Sequence, residues 1–352
     1  MYSVTRLYPH DTSFQWNKEI SPMPRSIQFR AFGGPEVLEI VEVECPAPKS
    51  DEVLVRVKAL GLNYTDALRR RDPSFGNPSL PASLGYEAAG IVAAVGKDIA
   101  HVKVGDAVNV LPVFDISRYA TYGEMAVVPG RAIIRQPEGL SFEQGASIWA
   151  MFLTLYSAIS DDAGIIPGEH VVVTAASSSV GIAAIQLLNL KGAVPVAFTR
   201  TREKQQKLLD AGARHVVAYR EVDAVEEIMR ITDGSGIRVI FDSVGGDFLA
   251  TLMQMAAVNG LIYVFGASGG DQASFPLATY IRKMLTLKGW TPRKDLFLDD
   301  ESLARAVAFI SEAVRSGKLT PALDRVFDFT EIVAAHRYLE SGRQFGKIVV
   351  RV

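Results

Sequence analysis

The stretch VVVTAASSSVGIAAIQ, residues 171–186, decides the predicted fold of this chain. It begins as an apolar β segment, passes through a run of small residues and continues as a helix. Small side chains at such a turn let backbone N–H groups and the helix N-terminus approach a pyrophosphate. Ala176, Ser178 and Gly181 stand where a G-x-G-x-x-G motif has glycine, so the turn alone is a weak indication.

The residues that follow this turn show the alternation of strands and helices that a parallel sheet requires. The predicted strands are His170–Thr174, Val194–Phe198, His215–Val217, Val239–Phe241 and Leu261–Phe265. The predicted helices are Ser179–Leu190, Arg202–Ala211, Val222–Thr232 and Asp247–Ala257. Strands that are apolar on both faces suit a sheet covered by helices on each side. We therefore predict an α/β fold, a doubly wound Rossmann domain over residues 149–289; a plain tight turn is the less favoured interpretation.

The end of the second predicted strand indicates which dinucleotide binds. A site for NAD places Asp or Glu there against the ribose 2′-hydroxyl, and this chain has the sequence TRTR at residues 199–202 instead. Arg200 and Lys204 are suited to hold a 2′-phosphate, the first with a planar fork of donors and the second as a point charge. We therefore expect NADPH as the cofactor. The alternative is that both cations belong to a solvated helix start.

The first part of the chain, from Ser26 to about Gln136, consists of short β segments separated by Gly and Pro. The β segments are Glu52–Lys58, Gly90–Gly96, Val104–Val110 and Gly123–Val128, and we expect them to form a partial barrel. After about Gly289 the β pattern ends, and a helix over Ser302–Ser316 precedes a last β segment, Lys347–Val352, which should rejoin the first module. We therefore predict one β-rich domain from residues 26–148 and 290–352, with residues 1–25 as an N-terminal extension.

Composition restricts the class of protein. The 352 residues exceed what one hydrophobic core usually holds, so two domains are expected. A net charge of −2 offers no basic field for nucleic acid, and the sequence has neither a bilayer-spanning apolar run nor a secretory signal. The single cysteine, Cys45, allows no internal disulfide and no cysteine-rich zinc site. We expect a cytoplasmic protein whose partners are small molecules, without nucleic acid or membrane.

The sequence contains six ordered motifs: GLNYTD at 61–66, LGYEAAG at 84–90, VGD at 104–106, the turn at 175–181, FDSVG at 241–245 and GKIV at 346–349. Together they resemble the medium-chain dehydrogenase/reductase superfamily, in its zinc-free quinone oxidoreductase and enoyl reductase branch. The resemblance runs from about Ser26 to Val352. It implies that the β-rich domain is a GroES-like catalytic domain.

Zinc-dependent members of that superfamily hold their catalytic metal with a Cys, a His and a further Cys or His. The resemblance places Asn63, Tyr86 and Ala150 at those positions, and neutral side chains of these types do not supply the ligands of a tetrahedral zinc. We therefore expect no metal, and Asn63, Tyr64 and Tyr86 remain as polar candidates for the catalytic site. Where many relatives have a Tyr as proton donor, this chain offers only Leu68 and Phe75.

The resemblance also implies a set of cofactor-binding residues. Ser178, Ser179, Val180 and Gly181 would face the pyrophosphate; Thr199, Arg200, Lys204 and Tyr219 would surround the adenosine phosphate; Phe265, Gly266 and Ala267 would line the nicotinamide; and Lys347 would reach the cofactor. For Tyr219 the alternative is an ordinary surface Tyr, and for Lys347 an exposed Lys before a strand. Asp66 and Glu87 are expected as buried acids with structural roles.

The function implied is hydride transfer from NADPH, without zinc, to a quinone or an α,β-unsaturated carbonyl compound. Without a Lewis acid, an alcohol dehydrogenase-type activity is less favoured. A non-catalytic NADPH-binding sensor or structural protein is the second alternative, because the Tyr donor is missing and a fold does not establish its function. We also expect a homodimer, because in this family the segment Gly260–Phe265 lies near a sheet edge and can pair with its two-fold mate.

Overall fold

The strands form three sheets in the computed structural model, which describes residues 23–292 and 299–352. The strands are β1 Arg25–Phe29, β2 Leu38–Glu42, β3 Glu52–Gly61, β4 Ala82–Ser83, β5 Ala88–Val95, β6 Ala107–Val110, β7 Met125–Pro129, β8 Ile133–Arg135, β9 His170–Val173, β10 Val194–Thr199, β11 His215–Ala218, β12 Ile237–Asp242, β13 Ala256–Val264, β14 Thr286–Gly289, β15 Leu323–Asp328 and β16 Lys347–Arg351. The helices are α1 Tyr64–Arg71, α2 Phe142–Gly145, α3 Trp149–Leu153, α4 Ser179–Leu190, α5 Gln205–Asp210, α6 Ala224–Ile231, α7 Phe248–Met255, α8 Leu277–Lys283, α9 Asp300–Arg315 and α10 Ile332–Ser341. Most of the predicted N-terminal extension, residues 1–22, lies outside the described residues.

The middle of the chain forms a six-stranded parallel sheet in the order β11-β10-β9-β12-β13-β14. The chain builds β9, β10 and β11 outward on one side and then returns to lay β12 on the other side of β9. The strand order therefore reverses between β9 and β12, and such a switch point leaves a crevice at the carboxyl ends of the strands. The predicted doubly wound fold is confirmed, and the predicted turn after β9 lies at this crevice.

The other strands build the β-rich domain around β3, which pairs with β5, β7 and β16. The last strand, β16, runs antiparallel to β3 with Val349 opposite Gly61. The prediction that the C-terminus rejoins the first module is therefore confirmed. The predicted domain limits, at residues 148/149 and 289/290, both fall between sheets. The first lies between the end of β8 at Arg135 and the start of β9 at His170. The second lies between the end of β14 at Gly289 and the start of β15 at Leu323.

The prediction that β structure is absent between Gly289 and the last strand is wrong. β15, residues 323–328, lies parallel to β16 at the edge of the sheet, and α10 follows it. The strand has the sequence LDRVFD, and only Phe327 within it is buried. Three charged residues in a strand of six conceal it from a search for apolar β segments, because an edge strand faces solvent on one side.

Residues 260–265 were predicted to lie near the sheet edge and to pair with a second copy; they lie one strand in from the edge, and the predicted pairing is wrong. Residues 260–264 belong to β13, which is hydrogen-bonded to β12 on one side and to β14 on the other, so its edges are not free. The edge strand is β14, a four-residue segment with the sequence TLKG. The strand has only four residues, and two of them are Lys and Gly, so the sequence shows no recognisable strand pattern there.

A buried chain of hydrogen bonds ties α10 to the start of α1. The Tyr122 hydroxyl donates to Asp66 Oδ2 at 3.2 Å, and it lies 3.3 Å from His336 Nε2. Because the single hydroxyl proton goes to the carboxylate, Nε2 of the imidazole must donate to the Tyr122 oxygen. His336 Nδ1 then carries no proton and has no partner. Asp66 in turn accepts the backbone N–H groups of Asn63 and Gly85, each at 3.0 Å, so the chain fixes the turn at Asn63.

Burial shifts the pKa values of His336 and Asp66, the two ends of this series of hydrogen bonds, in opposite directions. Burial, together with the positive charge of Arg70, lowers the pKa of His336 to about 3. Burial raises the pKa of Asp66 to about 6, against the effect of its hydrogen-bond donors. His336 is therefore a neutral structural residue across the physiological pH range.

His336 should make the protein lose stability in acid. In the unfolded chain its imidazole takes up a proton near pH 6.5, whereas in the folded chain it does so near pH 3, so the unfolded state binds more protons between these values. The free energy of unfolding contributed by His336 is therefore complete above pH 6.5 and falls as the pH falls, by about 3 kcal/mol between pH 7 and pH 4. Asp66 acts in the opposite sense between about pH 6 and 3.8.

Denaturant unfolding of the wild type and of His336→Gln across this pH range separates the contribution of His336 from that of Asp66. Both proteins keep Asp66, so its contribution cancels in the difference. The Gln amide can still donate to Tyr122 but has no proton to gain. The variant should be the less stable protein at pH 7, and the difference between the two should narrow by about 3 kcal/mol by pH 4. Parallel stability curves would contradict the assignment.

Candidate functional site

The carboxyl ends of the parallel strands place the predicted cofactor residues along one edge of the sheet. Ser178 and Gly181 follow β9, Arg200 follows β10, Tyr219 follows β11 and Phe265 follows β13. Because neighbouring parallel strands end at the same edge, the strand order sets the order of these groups along the crevice. The residues predicted to bind the adenosine phosphate lie at one end, those predicted for the pyrophosphate in the middle and those predicted for the nicotinamide at the other end.

The turn after β9 brings α4 very close to the preceding strand. Ser178 is the N-cap of α4, and its hydroxyl accepts the Gly181 N–H at 3.1 Å. A Cβ on Gly181 would lie 2.6 Å from the Ala176 carbonyl oxygen and 2.7 Å from that of Ala175, so only glycine fits there. The first N–H groups of a 12-residue helix are thus presented at the switch point, where an anion is favoured.

Asp242, at the end of β12, organises the loop beside this turn. Its carboxylate accepts the Thr174 hydroxyl at 2.7 Å and the backbone N–H groups of Val244 and Gly245 at 3.0 Å each. Phe265 continues from β13, and its N–H donates to the Asp242 carbonyl at 2.8 Å. The segment Phe265, Gly266 and Ala267 is partly exposed there, as a surface that receives a flat ring requires.

The two predicted phosphate cations lie together and contact the turn before β16. Arg200 Nη2 donates to the Gly342 carbonyl at 3.1 Å. Lys204 Nζ donates to the carbonyls of Gly342 and Gln344 at 2.9 and 2.7 Å and to the Ser177 hydroxyl at 3.2 Å. Burial, with a contribution from Arg200, lowers the pKa of Lys204. The alternative of a solvated helix start does not describe Lys204, which is part-buried and makes three hydrogen bonds to oxygen atoms.

Tyr219 and Thr199 complete this end of the crevice. The Tyr219 ring lies 4.4 Å from the Phe248 ring, centroid to centroid, and is partly buried rather than free on the surface. Its backbone N–H donates to the Thr199 carbonyl at 3.0 Å. It follows β11, the neighbour of the strand that Arg200 follows, and so stays a candidate contact for the adenosine phosphate.

Lys347, which was predicted to reach the cofactor, lies among the catalytic candidates. Its ammonium donates to Asn63 Oδ1 at 2.6 Å and to Glu87 Oε2 at 2.5 Å, and the side chains of Lys347 and Glu87 are both fully buried. The other carboxylate oxygen of Glu87 accepts the Ala150 N–H at 2.7 Å. The alternative of an exposed Lys is excluded. Asn63, Glu87 and Ala150, from three separate segments, thus meet around one buried cation.

The two tyrosines flank this cluster. Tyr86 has a side-chain hydrogen bond with Thr65, in the first turn of α1, and burial, with the negative charge of Asp66, raises its pKa well above the usual value. It therefore stays protonated and can donate its O–H. Tyr64 accepts a hydrogen bond from Arg71 Nη2 at 3.2 Å, and the Arg71 guanidinium lies 5.6 Å from its ring centroid. The Tyr64 O–H proton is not used in that contact.

The sequence did not reveal that Lys347 and Glu87 are partners. Glu87 was expected as a buried acid, which the structure shows, and Asp66 likewise accepts three hydrogen bonds in the interior. A buried acid requires a compensating group, and that signal could have prompted a search for its cation. The search could not have chosen Lys347 among the lysines, because the two residues lie 260 positions apart.

Metal-binding clusters and membrane-spanning helices are both absent from the described residues. Over residues 23–292 and 299–352, no three His, Cys, Asp or Glu side chains gather in a way that could hold a metal ion. Among the helices of these same segments, none has the length and apolar character needed to cross a bilayer.

Comparison with known proteins agrees with this architecture. The alcohol dehydrogenase GroES-like domain family matches residues 49–139, and the zinc-binding dehydrogenase family matches residues 179–312. Quinone oxidoreductase 1 of Escherichia coli strain K12 is 34% identical over 322 residues, which are 91% of this chain and 97% of that protein.

Solved structures show the same likeness. The crystal structure of Escherichia coli quinone oxidoreductase complexed with NADPH has a TM-score of 0.85 and 31% identity, covering 93% of this chain and all of the other. The CurK enoyl reductase has a TM-score of 0.81 and 25% identity, with 93% and 99% of the two chains covered. With a third of the residues identical over nearly the whole of both chains, the protein belongs to the medium-chain dehydrogenase/reductase superfamily, in its quinone oxidoreductase branch.

Proposed function

We propose that this protein transfers hydride from NADPH, without zinc, to a quinone or an α,β-unsaturated carbonyl compound. The observation that carries the proposal is the buried cluster of Lys347, Asn63 and Glu87. The family resemblance places one of its members, Asn63, at a metal-ligand position of the zinc-dependent relatives. The Escherichia coli relative complexed with NADPH and the enoyl reductase neighbour support the two substrate classes.

NADPH fits the residues along the crevice. The N-terminus of α4 and the close approach at Gly181 suit a pyrophosphate, and Arg200 and Lys204 suit the additional phosphate on the adenosine ribose. Neither Asp nor Glu occupies residues 199–202, so no carboxylate there repels that phosphate. When bound, the cofactor supplies the hydride, and the protein supplies orientation and hydrogen-bond donors.

Zinc does not fit the catalytic cluster. Asn63, Tyr86 and Ala150 stand at the expected ligand positions, and an amide, a protonated phenol and a methyl group do not provide thiolate or imidazole ligands. The Lys347 ammonium already places a positive charge beside Asn63, so a dication there would be repelled. The proposed mechanism therefore includes no step through a metal.

The residues of the cluster would act on the substrate oxygen. Arrival of hydride at a quinone or enone leaves negative charge on that oxygen, and donors aimed at it lower the barrier. Tyr86 and Tyr64 each have an O–H, and Asn63 has an amide N–H. Leu68 and Phe75 have no proton to give, so we propose that water delivers the final proton.

Activity should survive chelation and depend on the donor residues. We expect NADPH oxidation with a panel of quinones, enones and enoyl thioesters to be unchanged after exhaustive treatment with a chelator. Asn63→Ala and Tyr86→Phe should each lower kcat about a hundredfold, the usual cost of losing one oxyanion donor. Tyr338→Phe is a matched control, because the Tyr338 hydroxyl donates to Asp324 at 2.9 Å, outside the cluster.

Three results would change this assignment. Activity that disappears on chelation and returns with zinc would exclude the metal-free mechanism. Full activity in both donor variants would exclude these residues. NADPH binding without turnover on any acceptor would favour the non-catalytic interpretation.

The two cations should determine cofactor preference. Arg200→Ala or Lys204→Met should weaken NADPH binding by about 1.5–3 kcal/mol, the contribution of a charge-assisted hydrogen bond, and leave NADH binding nearly unchanged. Titration of protein fluorescence with each cofactor measures both affinities. Arg214→Ala is the control, because Arg214 is an exposed cation just before the amino end of β11, at the opposite edge of the sheet. Equal losses for NADPH and NADH would place these cations away from the 2′-phosphate.

We propose a homodimer formed at the β14 edge instead of β13. Next to this edge strand, α8 and its flanks expose Phe275, Leu277, Ile281 and Met284, each with 45% to 64% of its surface accessible. A bare strand edge beside an apolar surface is covered when a second copy continues the sheet.

Light scattering at micromolar concentration should give twice the 38.2 kDa chain mass. Ile281→Asp should shift the protein toward monomer, because a carboxylate would then be buried in the interface. Val104→Asp is the control, since Val104 is an exposed apolar residue in the β-rich domain. A monomeric wild type would exclude the dimer, and a dimeric Ile281→Asp would move the interface elsewhere.

A further inference from the structure

The hydrogen bonds of Lys347 affect the orientation of the Asn63 side-chain amide. The ammonium reaches the cluster from the first residue of β16, and both of its hydrogen bonds go to residues of the β-rich domain. Gly61 leaves space for it, because a Cβ there would lie 3.0 Å from Lys347 Cε, 2.8 Å from Glu87 Oε2 and 2.1 Å from the Ala146 carbonyl oxygen. The arrangement therefore needs glycine at the end of β3 as well as Lys at the start of β16.

An ammonium group has donors and no acceptor, and that property orients the amide of Asn63. The atom that faces Lys347 Nζ at 2.6 Å must be the amide oxygen, since an amide nitrogen there would oppose donor to donor. The amide nitrogen is left with two long contacts, 3.3 Å to the Gly61 carbonyl and 3.4 Å to Glu87 Oε2. Because contacts of that length are weak, the N–H groups of Asn63 retain capacity for another acceptor.

We propose that Lys347 is a positioning residue for the reduction. Its ammonium holds the Asn63 amide in the orientation that presents N–H, rather than C=O, to the substrate oxygen where negative charge develops. The proposal rests on the function proposed above and extends it to a residue that does not touch substrate.

Stability alone explains the buried ion pair poorly. Taking two charges out of water costs about as much as their attraction returns, and a well-packed apolar pair often serves the fold equally well. The pair does provide an unambiguous donor beside one side of Asn63, and an apolar pair would not. Without the ammonium, no donor faces the amide oxygen of Asn63, so nothing on that side holds the oxygen rather than the nitrogen in place, whether or not Glu87 keeps its charge.

The test compares variants that remove the ammonium with a control on the same strand. Lys347→Met removes the charge at similar size, but it leaves Glu87 charged and buried, so the protein can fail to fold. Lys347→Met/Glu87→Gln removes both charges and avoids that problem. Arg351→Met is the control, because Arg351 also lies on β16 and pairs with a carboxylate, Glu143 at 2.8 Å, near the surface.

We expect kcat to fall about a hundredfold in each Lys347 variant that folds, the usual effect of a catalytic group displaced by about 1 Å. NADPH affinity and the KM for the acceptor should stay within about twofold of the wild type, because the ammonium positions a transition-state contact. Arg351→Met should keep the wild-type kcat. A double variant with wild-type kcat would overturn the proposal.

A residue that acts through Asn63 should lose its effect when Asn63 is absent. In an Asn63→Ala background, adding Lys347→Met/Glu87→Gln should lower kcat by no more than about twofold, whereas independent effects would multiply. A further hundredfold loss in that background would show that Lys347 acts by another route, and the proposal would then be wrong.

A spectroscopic measurement separates this proposal from the proposed activity. The side-chain amide signals of Asn63 can be assigned in a nitrogen–proton spectrum by their absence in Asn63→Ala. In the wild type they should be a sharp, slowly exchanging pair, and in the Lys347 variants they should shift and exchange at least tenfold faster. If no acceptor is ever reduced, the proposed function fails while this comparison still decides whether Lys347 orients Asn63; unchanged signals would overturn it.

Discussion

The structure depends on one constraint, which is that the charge of Lys347 is buried and must be compensated. Glu87 supplies the opposite charge, Asn63 supplies a second acceptor, and the Ala150 N–H satisfies the remaining oxygen of Glu87. Asn63 follows β3, Glu87 precedes β5, Lys347 begins β16 and Ala150 lies in α3, so their contacts define how these segments meet. A shift of any one segment would leave a polar group unpaired in the interior, which is costly.

A second set of contacts joins the same C-terminal segment to the cofactor crevice. The Gly346 N–H donates to the Ser177 carbonyl at 2.9 Å, one residue before Lys347, and the carbonyls of Gly342 and Gln344 receive the cations of Arg200 and Lys204. Residues 342–347 therefore contact Arg200 and Lys204, the cations proposed for the adenosine phosphate, and also Asn63, the amide proposed to face the substrate. This short segment is part of the β-rich domain in sequence, but its residues contact both domains.

Local patterns in the sequence were sufficient for the parallel sheet. The apolar strands around residues 171–186 and their helices are short-range features, and the predicted limits of α4 agree with the structure because Ser178 caps it. Strands that lack an apolar pattern were missed, as β14 and β15 show. For the candidate site, the family resemblance suggested Asn63 and Tyr86, and residue types suggested Arg200 and Lys204. Their partners include backbone carbonyls and a lysine that is distant in sequence. Hydrogen bonds to backbone carbonyls cannot be recognised from the types of side chain in a sequence, so these contacts became visible only in the structure.

The pairing of β16 with β3 has a consequence for the order in which the protein forms on the ribosome. All six strands of the parallel sheet have been synthesised once the chain reaches Gly289, so that sheet has every partner it needs while the C-terminal residues are still to be added. The β-rich sheet, although most of it is made first, has a gap beside β3 until residues 347–351 emerge. Domains generally fold in the order of synthesis, and here the N-terminal domain has to wait for the final strand. The same strand brings in Lys347, so Glu87 stays without its cation until β16 has been synthesised.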